Sequence, residues 1–577
     1  MVKIVELKTN RSLIKTNFDG YKLSLESVPV IKVDLEINQH PYVRKIPVDQ
    51  YSFLHTELFS LQNFLVQDPW NREHSYFVGG DGSLIYCASY KESTGRPSPL
   101  KVVYKFSEQQ TPELTRYNFS FKFISEKYCV LCDGFNMLQL FDTSDRYKVT
   151  EWKLLSSHKI NENFEGFVLK DARLDVFDGK KVINCAFQHI EKCGSKNINQ
   201  IHWGKLFEKP EQTENVWSWK LEDVLLGSDL IHYCAFEPKS ASIVICSNKN
   251  ITFQSNESKE KEENEKEDSK EKHVETKEDS NEINNNYEWS QSEDDVVISF
   301  KDVEYENKNN LKVICTDKTI SVLHYDEYLL NKQNLCQQID PELTTWAIEN
   351  GSLQITLMKK DCTMWPYLME NDSKVTQDTA QNLEMDNKPT VNLETPLEDC
   401  DVAFNSDDEY YIYRINLELK EVTHQVPLGN NPPLFSTVLR PGFPAAIATR
   451  TDVDASLWLQ HYNPLKPEEW ALRHEGNLHA FGYVQASKQQ KKYVDCAPDM
   501  GYSVISEPFR HVFIYKSKYE TANNLRNRNG PQISLGKQSL ITLDSNSEVL
   551  GMSCGINFIT LLSEKCLLFI QLNKLNN

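Results

Sequence analysis

Two cysteines three residues apart, Cys129 and Cys132, have the spacing found in metal sites and in thiol–disulfide chemistry. No second pair with this spacing occurs in the chain. The residues around them form an apolar run typical of a β-strand, in which positions i and i+3 point to opposite faces. We therefore expect both thiols to be buried structural side chains, and we predict no metal site.

Several patterns that carry chemistry are missing, since the chain has no P-loop, H-E-x-x-H or G-x-G-x-x-G sequence. Gly79–Gly82 lies between two strand-like runs and is typical of a hairpin turn. His189, His202 and His511 have no fixed spacing to acidic or metal-ligating residues, so we expect them to be exposed or hydrogen-bonded in loops. We predict no catalytic residue and no cofactor.

The net charge narrows the range of partners. The 577 residues carry a formal net charge of −20, which would repel a phosphate backbone or an anionic membrane surface. Aromatic residues make up 11% of the chain, which favours strands and leaves ample material for a core. We expect neither nucleic-acid nor membrane binding.

Localisation follows from the hydropathy pattern. Met1–Glu6 lacks the apolar stretch of a secretory signal, and no later run approaches the roughly 18 apolar residues of a membrane span. We expect a soluble protein of the cytoplasm and nucleus. In that reducing setting, single cysteines within apolar runs should be small buried hydrophobic residues; they are Cys87, Cys185, Cys234, Cys246, Cys496 and Cys566.

Two charged stretches divide the chain. Glu257–Glu282 holds 12 acidic and 6 basic residues, and Asn371–Cys400 holds 7 acidic and 2 basic residues. Neither can bury enough apolar surface to fold, so we predict solvated linkers, with a salt-bridged helical stalk as the alternative for the first. The predicted division is 1–256, linker 257–286, a compact segment 287–370, linker 371–400, and 401–577.

The sequence pattern of the compact segment predicts half-buried strands. Val296, Ile298 and Phe300 alternate with polar neighbours, as do the apolar residues that begin at Leu311 and Leu353. Thr316–Thr319 is short and polar enough for a tight hairpin, and the Asn-Gly pair at positions 350–351 is a stronger hairpin signal. These features predict an antiparallel β-sandwich.

Met1–Asn256 and Asp401–Asn577 repeat one layout of an apolar strand, a Gly or Asp turn, a second apolar strand and an aromatic strand. Most repeats are about 50 to 60 residues apart, as in propeller blades with long loops. We predict an all-β propeller of seven blades, with eight as the alternative. We also expect the strands at Phe253 and Tyr410 to complete one blade, with the compact segment growing from a propeller loop.

The compact segment resembles the CS domain of the NudC-like family. The resemblance lies in Trp289–Phe300, Leu311–Val313, Ile339-Asp340 with Thr345-Trp346, Leu353–Lys360 and Trp365–Leu368. Flanking residues are also similar to NudC-like proteins, at Phe18–Glu26, Gly482–Lys488 and Cys496–Pro498. One departure is Gln333-Asn334-Leu335, where the family often has a Gly-x-Leu turn, so a glycine-dependent backbone is not expected there.

The resemblance implies a p23/Hsp20-like antiparallel β-sandwich inserted into the propeller. It also implies a non-enzymatic role near the Hsp90 co-chaperones, with propeller proteins of the WD40 and Kelch types as clients. We therefore expect a monomeric co-chaperone or assembly adaptor whose CS domain and propeller both bind proteins. The alternative is a propeller scaffold whose insert has no chaperone role.

Tryptophans and lysines of the insert are the candidate binding residues. Exposed tryptophan is enriched at interfaces, but Trp346 is better explained as sandwich core. Trp365 precedes a proline, so we expect it in exposed, extended chain. Lys318 and three other lysines form either a basic patch or ordinary solvated strand positions. The candidate protein-binding residues are Trp289, Lys312, Lys359, Lys360 and Trp365.

Overall fold

The computed structural model divides the chain into two compact units, residues 1–270 with 397–577 and residues 271–396. The residues that it describes are 2–44, 52–80, 82–106, 117–193, 196–210, 215–227, 229–254, 287–291, 295–300, 311–324, 327–349, 352–360, 365, 368–369, 409–517, 533–543 and 547–572. Both predicted linkers, 257–286 and 371–400, lie outside these residues. The two units are described separately.

The first unit opens with three strands that do not form a sheet of their own. They are β1 (Lys3–Ile4), β2 (Phe18–Leu23) and β3 (Val30–Asp34). A helix, α1 (Phe53–Ser60), follows and begins at Ser52, whose side chain accepts a hydrogen bond from the His55 backbone N–H. No helix in the described part of the chain is long and apolar enough to span a membrane.

The next three sheets follow in chain order. Blade 1 consists of β4 (Val66–Gln67), β5 (His74–Gly79), β6 (Leu84–Lys91), β7 (Arg96–Pro97) and β8 (Lys101–Lys105). Blade 2 consists of β9 (Ser120–Phe123), β10 (Tyr128–Cys132), β11 (Met137–Asp142) and β12 (Lys153–Lys159). Blade 3 consists of β13 (Val168–Phe177), β14 (Lys180–Cys193), β15 (Lys196–Pro210), β16 (Asn215–Gly227) and a later strand.

Blade 4 is the blade that the insert interrupts. It begins with β17 (Tyr233–Phe236) and β18 (Ser242–Ser247), and then β19 (Ile251–Phe253) pairs back with β16 of blade 3. The strands of the second unit come next in the chain. They are β20 (Tyr287–Gln291), β21 (Asp295–Phe300), β22 (Leu311–Cys315), β23 (Thr319–His324), β24 (Glu327–Asn334), β25 (Ile339–Glu349) and β26 (Ser352–Lys359). Blade 4 then resumes with β27 (Tyr410–Asn416) and β28 (Glu421–Gly429).

Three more blades and a second short helix complete the first unit. Blade 5 consists of β29 (Phe435–Thr437), β30 (Ala446–Thr451), β31 (Asp454–His461) and β32 (Ala471–Leu478), and α2 (Phe481–Ala486) follows it. Blade 6 consists of β33 (Tyr493–Cys496), β34 (Ser503–Ser506), β35 (His511–Lys516) and β36 (Ser534–Thr542). Blade 7 consists of β37 (Val549–Cys554), β38 (Phe558–Ser563) and β39 (Cys566–Gln571).

The amino-terminal strands complete blades formed by later parts of the chain. β1 and β2 add in parallel to the outer edges of blades 4 and 6, on β28 and β36. β3 pairs antiparallel with β39 and supplies the fourth strand of blade 7. The predicted propeller is thereby confirmed, and the described residues of this unit form seven sheets, as preferred from the sequence.

One expectation about blade composition is wrong. The strands at Phe253 and Tyr410 do not share a blade, because β19 pairs with β16 whereas β27 pairs with β18. The two strands are nevertheless close together, since the Tyr413 hydroxyl donates to Asn250 Oδ1 at 3.2 Å. The insert therefore departs from blade 3 and returns in blade 4, at neighbouring points of the same unit.

Both faces of a blade are covered by neighbouring blades. On β5 and β6, Tyr76 and Cys87 pack against Phe123 of blade 2, whereas Phe77 and Tyr86 pack against Phe569 of blade 7. A strand covered on both faces reads as a continuous apolar run, and β5 is buried along its whole length. This explains why strand alternation is weak in the propeller part of the sequence.

The second unit is a two-sheet sandwich with its own core. One sheet has the order β20-β21-β26-β25 and the other β22-β23-β24. Val296, Ile298 and Phe300 point into the core with Ile320 and Val322, as their alternation predicts. The hairpin at Thr316–Thr319 is also confirmed. Residues 350–351 lie outside the described part, although Glu349 and Ser352 pair across that turn.

Candidate protein-binding sites

The outer face of the three-stranded sheet carries the most accessible apolar side chain of β22. Leu311 is buried, whereas Lys312 is exposed and the Ile314 residue is 45% exposed. Lys312 lies opposite Leu323, and Ile314 lies opposite Ser321. Residues that oppose each other in a sheet share a face, so Lys312, Ile314 and Leu323 form one surface, called here the Ile314 face.

The Ile314 face was only partly predicted from the sequence. Lys312 was a candidate binding residue, whereas Ile314 was not. The sequence could have indicated Ile314, because it is two residues from Lys312 and residues i and i+2 of a strand lie on the same face.

Trp365 is buried, contrary to the expectation that it is exposed. Only 3% of the residue is accessible, and it packs with the sandwich core. Its backbone N–H donates to Gln291 Oε1 at 2.8 Å, and its carbonyl accepts from Gln291 Nε2 at 2.8 Å. A proline next in sequence favours extended chain, but extended chain can still lie against a sheet.

Lys359 is also part of this buried arrangement. Only 8% of it is accessible, and its Nζ donates to Gln291 Oε1 at 2.8 Å and lies 6.0 Å from the Trp365 ring centroid. The Gln291 side chain therefore joins β20 to the end of β26 and to the chain that follows. Sequence reasoning missed Gln291, because a glutamine carries no motif that would reveal this contact.

The remaining candidates are more accessible. Trp289 and Trp346 are half-buried and pack against the sandwich core, so the preference for core at Trp346 agrees with its position. Lys360 is exposed, and its backbone N–H donates to the Gln338 carbonyl. Gln333 and Asn334 lie within strand β24, so the departure from a Gly-x-Leu turn is accommodated by extended backbone.

Burial explains the paired cysteines. Cys129 packs towards blade 1 and Cys132 towards blade 3, so their side chains lie on opposite faces of β10, as predicted. Burial raises the pKa of both thiols. The single cysteines expected in the core are buried as well. Among the residues with described positions, no group of three His, Cys, Asp or Glu side chains is placed to hold a metal ion.

The histidines are not where the sequence placed them. His189 and His202 lie on strands β14 and β15 and are buried, not in loops. His202 Nε2 is 2.8 Å from Gln200 Oε1, and burial lowers the pKa of the His202 imidazole to about 3. His511, at the start of β35, contacts Glu507 Oε2 at 2.8 Å. The expectation of hydrogen-bonded rings is correct, but the expectation of loops is wrong, because all three histidines lie on strands.

The first strands of the blades surround a channel through the propeller. Two cavities of about 640 and 380 Å³ share lining residues from different blades. The shared residues are Asn63, Val66, Ser436, Asp495 and Met552. Leu54, Leu58 and Leu61 of the α1 region line the larger cavity. The channel is a second surface on which a ligand could bind.

A seven-bladed propeller with a CS sandwich inserted in it defines the class of this protein. Residues 285–359 match the CS domain family, which covers the sandwich from before β20 to the end of β26. The insert is therefore similar to CS domains, as its sequence indicated.

Particular relatives are similar over nearly the whole chain. NudC domain-containing protein 1 of Mus musculus is 29% identical, covering 99% of both chains. The protein of that name from Xenopus laevis is 27% identical, covering 98% of both chains. The similarity therefore extends through the propeller as well as through the insert.

Similarity to solved structures is lower. Sqt1 of Chaetomium thermophilum, bound to the N-terminus of the ribosomal protein L10, is 8% identical over 88% of this chain and 95% of that chain, with a TM-score of 0.31. The nuclear movement protein from E. cuniculi GB-M1 is 21% identical over 15% of this chain and 98% of that chain, with a TM-score of 0.14.

Proposed function

We propose that the protein is a non-enzymatic, NudC-like co-chaperone or assembly adaptor. Its CS domain and its propeller serve as separate protein-binding surfaces, and its partners are Hsp90 and propeller-type clients. The resemblance of the insert to NudC-like CS domains supports this partner class. The protein acts as a monomer in the cytoplasm and nucleus.

The observation that carries the proposal is that each unit has a core of its own. The described strands of the sandwich bury a single apolar cluster, and the described strands of the propeller close through β3 and β39. Among the described strands, none of either unit pairs with a strand of the other. Two binding modules in one chain raise the effective concentration of one partner near the other, which is the physical advantage of an adaptor.

The Ile314 face is the proposed contact surface of the CS domain. Ile314→Glu places a carboxylate where an apolar contact is proposed, and it should leave the fold intact because the side chain is exposed. Leu343→Glu is the matched control, because Leu343 is 59% exposed and lies on β25, in the other sheet.

The experiment is affinity purification of the full chain, of both point variants and of a chain lacking residues 257–400. We expect Hsp90 and propeller-type proteins with the full chain and with Leu343→Glu. Ile314→Glu and the deletion should both lose them. Recovery of the same partners by the deletion variant would contradict the proposal and favour a scaffold with a passive insert.

A further inference from the structure

Lys170 stands out within the channel because of its backbone. The pairing of β13 with β14 shifts register between Leu169 and Asp171, which makes Lys170 the extra residue of a β-bulge. A bulge re-aims the side chain that it adds. Asp171 faces a network with Lys122 and the Phe236 N–H, whereas Lys170 lines the larger cavity of about 640 Å³.

The ammonium of Lys170 lacks a counter-ion. Across the described positions of the chain, Lys170 Nζ makes no hydrogen bond or ion pair, and burial lowers the pKa of this ammonium. Burial also lowers the pKa of the His232 imidazole nearby, with the Asp229 carboxylate opposing this shift and Lys170 adding to it. A half-buried ammonium without a partner loses part of its hydration, and a bound anion would recover that free energy.

The other charged groups of the cavity do not neutralise Lys170. Lys492 pairs with Glu548 at 2.7 Å, and Lys491 Nζ donates to the Gln485 carbonyl at 3.3 Å. The cavity has two carboxyl groups, Glu57 and Asp495. Burial raises the pKa of Asp495, which favours its neutral form. Among the described residues, no ion pair joins Lys170 to Glu57 or to Asp495.

The other residues that line the cavity indicate which further groups the ligand should carry. Apolar side chains from α1 and from several blades line the larger cavity, among them Leu54, Val168, Ile231, Leu434, Phe435 and Met552. The shared residues connect this cavity to the smaller one, so a ligand of several residues can contact both. A single ammonium matches a carboxylate, whereas phosphate groups are usually held by several donors.

We infer that the channel binds a peptide segment of a partner protein in which a carboxylate lies among apolar side chains, and that Lys170 binds the carboxylate. The inference rests on the proposed role of the propeller as a protein-binding surface. It does not involve the CS domain or Hsp90.

The test is fluorescence anisotropy with the purified full chain and a labelled peptide of alternating Leu and Glu. The same peptide with Gln in place of Glu is the ligand control. Lys170→Met removes the charge, Lys170→Arg keeps it, and Lys153→Met is a control at an exposed lysine of β12. Inorganic phosphate serves as the competing anion.

We expect the Glu peptide to bind the wild type, Lys170→Arg and Lys153→Met, and to bind Lys170→Met about tenfold more weakly or worse. The Gln peptide should bind the wild type with an affinity that is reduced by a similar factor, and phosphate should not displace the Glu peptide. Unliganded Lys170→Met should melt no lower than the wild type, because the substitution removes an unpaired charge that is half-buried.

Equal binding by Lys170→Met would overturn the inference, as would equal binding of the two peptides. Displacement by phosphate, with no dependence on the peptide carboxylates, would replace it by an inorganic anion site. If the peptide fails to bind while Hsp90 is still captured through the Ile314 face, only the channel inference fails.

Discussion

Single buried groups show how the environment in this fold sets side-chain chemistry. His202 lies on β15 with no accessible surface, and Phe167 and Phe164 pack against its ring at centroid distances of 5.0 and 5.5 Å. The folded protein therefore holds the imidazole in its neutral form. In the unfolded chain, the same ring gains a proton near its ordinary pKa of about 6.5.

This difference predicts a pH effect on stability. Because the folded pKa is lowered to about 3, the stabilisation is present above pH 6.5 and is lost as the pH falls towards 3. The loss is about 1.4 kcal/mol for each pH unit well below 6.5. The difference in unfolding free energy between the wild type and His202→Gln should therefore shrink by about 2 kcal/mol from pH 7.5 to pH 5.

Urea unfolding at each pH, followed by tryptophan fluorescence, measures this difference. His461→Gln is the control, because His461 is exposed and its ring is solvated in both states. A difference for His202→Gln that stays constant with pH would mean that the pKa of His202 is the same in the folded and unfolded states.

A buried ion pair gives a second prediction at this scale. Arg146 donates to Asp68 through Nε at 2.6 Å and through Nη2 at 3.1 Å, and both side chains are almost fully buried between blades 1 and 2. Asp68→Ala would leave the guanidinium unpaired and should cost about 3–5 kcal/mol. Asp68→Ala with Arg146→Met should cost less than Asp68→Ala alone, as thermal unfolding can test.

Sequence patterns predict burial better than they predict position at this scale. The opposite faces of Cys129 and Cys132 follow from strand period two, a local property. Trp365 and Lys359 could not be placed in the same way, because Gln291 lies about seventy positions earlier and its contacts depend on tertiary packing. His202 was misplaced because strand β15 is unusually polar for a buried strand.

Among the elements, the parallel strand β2 depends on a glycine. Tyr21 donates to the His479 carbonyl at 2.6 Å, and its ring lies 5.0 Å from that of Tyr515. A Cβ atom added to Gly536 would lie 2.5 Å from Tyr21 Cδ1 and 2.8 Å from the Lys516 carbonyl oxygen. Only glycine leaves room for the Tyr21 ring over β36.

Gly536→Ala should therefore displace Tyr21 and loosen β2, with a cost of about 1–3 kcal/mol from overpacking. Hydrogen exchange should report faster exchange at β2 and at the edge of β36. Gly227→Ala is the matched control, since a Cβ there would meet Ile251 at an ordinary 3.7 Å. Equal effects of the two substitutions would show that the Tyr21 contact is not limiting.

Pairing between elements was the least predictable feature. The strands at Phe253 and Tyr410 both carry apolar and aromatic residues, and nothing local distinguishes β16 from β18 as a partner. The same holds for β1 and β2, which add to blades whose other strands lie hundreds of residues away. The blades themselves were predictable, because turn residues and apolar runs recur along the chain.

At the scale of the whole molecule, the insert should be removable. Phe253 packs in one cluster with Tyr413, so the ends of the propeller segments that flank the insert are close together. Joining residue 256 to residue 401 requires a loop whose closure entropy changes by only about 0.6 kcal/mol per doubling of length. Calorimetry of the deletion variant should show one cooperative transition; a broad, non-cooperative transition would contradict the closed propeller.

Cutting the chain at the same place should have the opposite result. The pairs β18–β27, β1–β28, β2–β36 and β3–β39 all join residues 1–256 to residues 401–577. Each part alone would expose unpaired strand edges and should aggregate or remain unfolded, whereas the two parts produced together should associate. Two parts that fold separately and do not associate would contradict the ring.

The pairing of β3 with β39 has a consequence for the nascent chain during its synthesis. More than 500 residues separate the two strands, so β3 leaves the ribosome long before its partner exists. At about 5 to 20 residues per second, the wait is on the order of one minute. During that time blade 7 cannot form, and the unpaired strand of the nascent chain must be kept from pairing with strands of other proteins. A protein proposed to assist the folding of others therefore has a prolonged need for such help itself.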